Sequence, residues 1–388
     1  MARGLVHGLH SRDVSTQLSP QFEKFRRWYV AIAVTILNCL LVALLLGGVF
    51  LLVRAIKSAF ASKASPVEKK YGDKVFTAYP GWSKDDVRAL LWETWNRPSV
   101  FEPFTQFKER PFTGRFVNVS ADGFRHSLDQ APWPPDTNAF NVFVFGGSTT
   151  FGYGLPDAQT IPSFLQSWLR TNASPRVNVY NFGRAYYFSS QEIVLFLRLL
   201  AAGHVPQLAV FLDGLNDSLY VDDMPRFSDR VSELMAGKKS RVSLPTVQDE
   251  PPSEKDGATD PSRNIARKVV RRYQSNRRLA KALAEGYGVR VAFVWQPIPT
   301  YKYDLQYHHF KDDGFQRHKN APMVYELMNE NRSELAKDAS FVWCADIQEA
   351  VAESFYLDEV HYNPALARRL AARIGEELQA RGLLATRQ

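Results

Sequence analysis

The sequence predicts an α/β protein: a parallel sheet of five strands covered by helices on both faces, preceded by one transmembrane helix. Two observations carry this. Over the last two-thirds of the chain, five short apolar runs alternate with longer amphipathic stretches, the rhythm of strand–helix units in a parallel sheet. Nearer the start, 26 consecutive residues, 28–53, carry no charge. No repeat at a fixed period appears.

Taken in order, residues 1–27 are an N-terminal tail and 28–53, "WYVAIAVTILNCLLVALLLGGVFLLV", are the membrane anchor. At about 1.5 Å per residue this segment exceeds the roughly 30 Å hydrocarbon core of a bilayer. Trp28 and Tyr29 sit at one edge, where amphipathic rings prefer the headgroup level. A cleavable signal peptide would have a shorter apolar region and small residues at a cut site. A helix on a soluble core would not be apolar all round. Arg12, Lys24, Arg26 and Arg27 precede the span, and Arg54, Lys57, Lys63, Lys69 and Lys70 follow it, so flanking charge does not fix its orientation.

Residues 54–75 are polar and small and read as a linker. Residues 76–139 are rich in Trp, Phe and Pro and are expected to pack on the main domain as loops, a short helix and a hairpin, their aromatics serving as core. The main domain occupies 140–388. Its strands are expected at 141–146, 176–181, 207–213, 289–295 and 340–344, and its helices at about 160–171, 189–203, 264–287, 322–337 and 363–382. Residues 236–263 interrupt the rhythm. They are polar and Pro-rich, cannot bury enough surface to offset ordering entropy, and read as a mobile insertion.

The chain has 388 residues and a net charge of +8, which fits a protein near anionic lipid or polysaccharide without requiring one. No nucleic-acid module is recognisable. The two cysteines, Cys39 and Cys344, do not make a disulfide framework, since Cys39 lies within the anchor. No His/Cys/Asp/Glu cluster has metal-ligand spacing, and no cofactor is expected. The helix around 264–287 carries Arg267, Lys268, Arg271, Arg272, Arg277, Arg278 and Lys281. It reads as a solvated face, with attraction to anionic lipid or glycan as the alternative.

In open parallel sheets, ligands bind beyond the carboxyl ends of the strands, so the informative residues should follow the strands. After the first comes Gly146-Gly147-Ser148-Thr149. It lacks the lysine of a phosphate-binding P-loop, the spacing of a dinucleotide fingerprint and the second glycine of a nucleophile elbow. After the second comes Asn181-Phe182-Gly183-Arg184, and after the third Asp213-Gly214-Leu215-Asn216-Asp217. Beyond the fifth comes Asp358-Glu359-Val360-His361, then Asn363-Pro364, which reads as a helix N-cap with proline at the first helical position.

These four ordered blocks resemble the SGNH/GDSL hydrolase superfamily over about residues 140–382. The resemblance implies a flavodoxin-like three-layer sandwich with signature residues Ser148, Gly183, Asn216 and His361, and Asp358 three residues before the histidine. The first block departs from the name-giving version, having glycine where that version has aspartate, but it keeps the serine. The residue chemistry agrees. Ser148 needs a base to become nucleophilic, His361 can be that base, and Asp358 can orient it. By the resemblance, the oxyanion donors are the Ser148 N–H, the Gly183 N–H and the Asn216 side-chain amide. Glycine at 183 is expected to let substrate approach. Asp217 is expected to brace its loop and Asp213 to cap it. Tyr153, Arg184, Tyr186, Tyr187 and Gln296 follow strand ends and are offered as pocket lining, the tyrosines as a stacking platform for a sugar ring.

The expected function is a membrane-anchored serine esterase that removes an acyl group, acetyl for example, from a glycan or lipid ester. By analogy with anchored members of the superfamily, its catalytic domain would face outward from the inner or cytoplasmic membrane. The alternatives are an O-acyltransferase that uses the same triad on a cell-envelope polysaccharide, and a catalytically silent glycan-binding or scaffold protein.

Overall fold

A computed structural model describes residues 20–60, 64–174, 176–235 and 260–384. The chain forms two units, residues 1–63 and 64–388. The described residues of the first form one helix, α1 (Pro20–Phe60), longer at both ends than the expected anchor. Within its stretch Gln21–Val53, an 18-residue window has a mean hydropathy of 2.8, and none of that window is buried. By length and composition this stretch can cross a bilayer.

The second unit opens with α2 (Pro66–Tyr71), capped by Ser65, whose hydroxyl accepts the Glu68 N–H at 3.1 Å. A 3-10 segment, Gly72–Ala78, follows. Val67 and Val75 are buried in the core, so the expected linker 54–75 is corrected: its second half belongs to the folded unit. The aromatic-rich stretch then gives α3 (Lys84–Trp95), the hairpin β1 (Val100–Glu102) and β2 (Gln106–Lys108), and a second antiparallel pair, β3 (Phe112–Thr113) and β4 (Asn118–Val119).

The main sheet comprises β5 (Phe140–Gly146), β6 (Val177–Asn181), β7 (Leu208–Asp213), β8 (Arg290–Trp295) and β9 (Phe341–Trp343), all parallel, in the order β6-β5-β7-β8-β9. In core-strand order this is 2-1-3-4-5, the flavodoxin-like arrangement, whose switch point lies at the first strand. The connecting helices are α4 (Ser148–Phe151), α5 (Ile161–Asn172), α6 (Ser189–Ala201), α7 (Leu215–Leu219), α8 (Ser228–Met235), α9 (Pro261–Gly286), α10 (Ala321–Glu330), α11 (Arg332–Leu335) and α12 (Pro364–Ala380). Residues 261–263, the end of the expected insertion, thus open α9, while 236–259 lie outside the described residues.

Strand side chains alternate between faces, and the two faces differ in chemistry. Val142, Val144, Val210 and Val294 face an aliphatic core shared with Leu165 and Leu169 of α5, Leu370 and Ile374 of α12, and Leu90 and Leu91 of α3. Phe143, Phe145, Phe211 and Phe293 face an aromatic core shared with Phe196 of α6, Tyr273 of α9 and Tyr325 of α10. The register sets Gly146 opposite Leu212 and Asp213 opposite Trp295. The central strands therefore end level, and the loops carrying Ser148 and Asn216 leave the sheet side by side.

Candidate active site

β5 ends in two glycines, and Ser148 is the first residue of α4, with Gly147 as its N-cap. The first N–H groups of a helix have no intrahelical acceptor, so the Ser148 N–H faces outward from the turn. A Cβ on Gly147 would lie 2.4 Å from Asn216 Nδ2, so only glycine lets the two loops meet. Behind the turn, the buried Arg125 donates to the Phe151 carbonyl at 2.8 Å and the Gly152 carbonyl at 2.7 Å, and pairs with Asp157 at 2.9 Å. Arg125 thus satisfies the last carbonyls of the single-turn helix that holds the serine. Nothing in its local sequence marked it.

Asp358 and His361 share the loop before α12. Leu357 N–H bonds to the His361 carbonyl at 2.8 Å and Asn363 N–H to the Phe355 carbonyl at 2.8 Å, pinning the loop at both ends. Asn363 caps α12, accepting the Leu366 N–H at 3.0 Å, with Pro364 at the first helical position as expected. His361 Nδ1 lies 2.6 Å from Asp358 Oδ2, and its Nε2 lies 2.9 Å from Ser148 Oγ. The other carboxylate oxygen of Asp358 accepts the backbone N–H groups of Val360 (2.9 Å) and His361 (2.8 Å). Burial alone would raise the Asp358 pKa. The His361 charge and these hydrogen bonds outweigh it and hold the pKa at about 2. An ionised Asp358 requires the His361 proton on Nδ1, which leaves Nε2 to accept the serine hydroxyl.

One N–H expected to meet an oxyanion is already spent within the protein. The Gly183 N–H is donated to Asn181 Oδ1 at 3.0 Å. Gly183 is required for another reason: a Cβ there would lie 2.3 Å from the Phe151 N and 2.7 Å from the Thr150 carbonyl carbon, so the loop after β6 could not pack on α4. Its neighbours are also committed, Phe182 to Val144, Arg184 to Gly146, Ala185 to Glu109 and Tyr187 to Arg184. In the run 182–187, only the Tyr186 N–H has no acceptor among the described residues. Tyr186 has φ of +64°, a left-handed conformation uncommon for a bulky residue. Asn216 donates one amide hydrogen to the Tyr187 carbonyl at 2.7 Å, leaving the other available.

The loop around Asn216 is braced as expected by Asp217, which accepts the Ser189 hydroxyl at 2.6 Å and the Gly214 N–H at 3.3 Å. Arg272 of α9 adds to this, donating to the Asp217 carbonyl at 2.9 Å, the Val221 carbonyl at 3.3 Å and the Tyr220 carbonyl. The basic helix is therefore not a uniform solvated face: Arg277 and Lys281 pair with Asp338 at 2.8 and 3.0 Å, and Lys268 with Asp222 at 2.6 Å. Asp213 does not cap. It is buried beside Glu192, and burial together with the Asp217 charge raises its pKa well above the carboxylate range.

Of the five residues offered as lining, two reach the site. Tyr153 stacks on the His361 ring at 5.4 Å between centroids, and Tyr186 is half-buried in the loop beside Asn216. The other three are buried scaffold, which corrects the expectation. Arg184 pairs with Glu102 and bonds the Tyr187 hydroxyl at 2.9 Å, while Tyr187 donates to the Phe107 carbonyl. Gln296 Oε1 accepts the hydroxyls of Thr149 at 2.7 Å and Tyr362 at 2.9 Å. Nor are the tyrosines a free platform, since one Tyr153 face lies on His361 and the Arg226 guanidinium lies 3.7 Å from the Tyr186 ring centroid. A residue the sequence did not single out completes the wall: Trp95, at the end of α3, meets His361 edge-on at 5.7 Å. Among the described residues, no group of three His, Cys, Asp or Glu could hold a metal ion.

No protein-family model matches this chain, and no curated protein matches it. Among solved structures it is similar to a member of the lipolytic protein G-D-S-L family from Veillonella parvula DSM 2008, with 16% identity, 61% of this chain and 97% of that one covered, and a TM-score of 0.35. It is similar to a lipase from a goat rumen metagenome, with 14% identity, 63% and 98% covered, and a TM-score of 0.39. It is also similar to the lipase/acylhydrolase from Enterococcus faecalis, with 13% identity, 64% and 98% covered, and a TM-score of 0.34.

Proposed function

We propose that the chain is a serine ester hydrolase of the SGNH type, carrying out hydrolysis through an acyl-enzyme. The observation that carries this is the unbroken hydrogen-bonded series Ser148–His361–Asp358, at 2.9 and 2.6 Å. Ser148 Oγ attacks the ester carbonyl as His361 Nε2 takes its proton, and Asp358 stabilises the imidazolium that forms. The carbonyl oxygen becomes an oxyanion, received by the Ser148 N–H, the free Asn216 amide hydrogen and the Tyr186 N–H in place of Gly183. Collapse breaks the bond to the alcohol, which leaves with the proton from His361. Water, deprotonated by the same base, then cleaves the Ser148 ester and releases the acid.

The substrate is an acylated glycan or lipid, and α1 anchors the enzyme in the membrane with the hydrolytic unit extracytoplasmic. Purified protein incubated with 4-nitrophenyl acetate should release nitrophenol and acetate in equal amounts, and Ser148→Ala should not. Turnover retained by Ser148→Ala would sink this mechanism. A cytoplasmic signal from a reporter fused to the C-terminus would sink the topology.

A further inference from the structure

Beside the proposed site lies a cation that the esterase chemistry does not use. Arg226 is half-buried, and its guanidinium carbon lies over Tyr186, 3.7 Å from the ring centroid, close enough that the two groups meet face to face. Tyr186 precedes Tyr187, whose carbonyl holds the Asn216 amide at 2.7 Å, so Arg226 borders the oxyanion loop. Its position is fixed from below. The Phe227 N–H bonds to Gln106 Oε1 at 3.2 Å, and Gln106 Nε2 to the Ser228 hydroxyl at 2.8 Å.

Three carboxylates on neighbouring segments are engaged elsewhere, and Asp229 of α8 is exposed and forms no ion pair with Arg226 among the described residues. Asp222 pairs with Lys268 at 2.6 Å, Asp223 accepts the Ser190 hydroxyl at 2.5 Å and lies 3.8 Å from Arg272, and Glu102 pairs with Arg184. Among the described residues, no carboxylate forms an ion pair with Arg226. A second cation, Arg317, is exposed on the turn Gln316–His318, which packs against α7. Both positive charges act on the Tyr220 hydroxyl, which one Arg226 N–H also reaches, leaving the guanidinium's other N–H groups, and the Tyr220 N–H bonds to the Asn216 carbonyl at 3.0 Å.

A guanidinium stacked on an aromatic ring uses its face and keeps its in-plane N–H edges, the geometry that takes a carboxylate or phosphate in a fork. We propose that Arg226, seated on Tyr186 and assisted by Arg317, forms an anion subsite, so that the preferred ester carries a carboxylate or phosphate group near the scissile bond. This rests on the esterase reading for its consequence in catalysis, but not for the binding itself.

Two measurements keep the two ideas apart. The full-length protein in detergent is assayed on acetylated glucose, acetylated glucuronic acid and acetylated glucose 6-phosphate. One of the charged esters should exceed the neutral one in kcat/KM by about tenfold or more, and the one favoured tells whether the anion is a sugar carboxylate or a phosphate. Arg226→Gln should erase most of that preference, and Arg226→Lys, which keeps the charge but not the fork, should restore part of it. Independently, glucuronate and glucose 6-phosphate, which carry no ester, are titrated calorimetrically into wild type and Arg226→Gln. Binding that depends on Arg226 supports the subsite even if no ester is turned over, a result that would overturn the esterase alone. Equal turnover of charged and neutral esters, or anion binding unchanged in Arg226→Gln, overturns the subsite.

Discussion

Asp358 and His361 are set by hydrogen bonds that a single atom change would disturb. In Asp358→Asn, an amide can donate to Nδ1, which forces the proton onto Nε2 and removes the acceptor for Ser148. The variant should fold normally and lose about four orders of magnitude in kcat. Steady-state kinetics on 4-nitrophenyl acetate check this, and a loss under tenfold would contradict the orienting role. Two other histidines govern stability rather than chemistry. His308 bonds its Nε2 to the Glu359 carbonyl at 3.2 Å and accepts the Phe310 N–H at 3.1 Å on Nδ1, so it is built in neutral beside the loop that carries Asp358 and His361. Burial, the largest cause in each, holds both His308 and His318 at about 4. An unfolded histidine titrates near 6.5, so between these values the unfolded chain binds more protons. Stability should be complete above about pH 6.5 and fall as pH drops toward 4. Melting curves across that window should show the decline, and His308→Gln should make it shallower. A melting temperature flat between pH 6.5 and 4.5 would contradict this.

At the scale of elements, the strands and helices of the main sheet were legible because each is a continuous or periodic apolar run, and the observed boundaries of β5 to β9 fall within about two residues of those read from pattern. In the stretch 76–139 the short helix and the hairpin were legible, but the partners were not, because its short, interrupted apolar runs gain meaning only through contacts far along the chain. Trp95 meets His361, Glu109 accepts the Ala185 N–H at 3.0 Å, and Glu102 pairs with Arg184. The same limit explains Gln296. Its place after a strand was readable, but the direction of its side chain, into the bonds with Thr149 and Tyr362, was not. Gly183 was recognised by block order, yet its role is steric, since α4 passes where a Cβ would stand. This stretch should therefore behave as part of the catalytic unit. Arg125→Ala would strand Asp157 and the α4 carbonyls, and should cost about 3–5 kcal/mol in denaturant unfolding. A cost below about 1 kcal/mol would show that the serine turn does not depend on it. Trp95→Ala, by loosening the wall on His361, should lower kcat/KM while leaving the fold intact by circular dichroism.

For the whole molecule, the two units differ in what they bury. The second has aliphatic and aromatic cores on opposite faces of its sheet, whereas no residue in the Gln21–Val53 stretch of the first is buried. Exposed apolar helix of that length is stable in lipid, not in water. A chain beginning at residue 64 should stay in aqueous solution without detergent and keep its melting temperature and ester turnover, while the full chain should partition into detergent. Sedimentation with and without detergent checks this, and a truncated protein that aggregates would contradict the division at residue 64. The long apolar helix and the order of the blocks at the strand ends were both readable from sequence, because charge-free length and strand-end position are one-dimensional signals. Which N–H groups remained free to meet an oxyanion was not, because that depends on where every other donor is spent. The account stands or falls on Ser148 as an activated nucleophile. Incubation with a fluorophosphonate probe followed by peptide mapping should place a covalent adduct on Ser148 in wild type and leave Ser148→Ala unlabelled. A wild-type protein that stays unmodified while a control esterase is labelled, or an adduct that persists in Ser148→Ala, would contradict it.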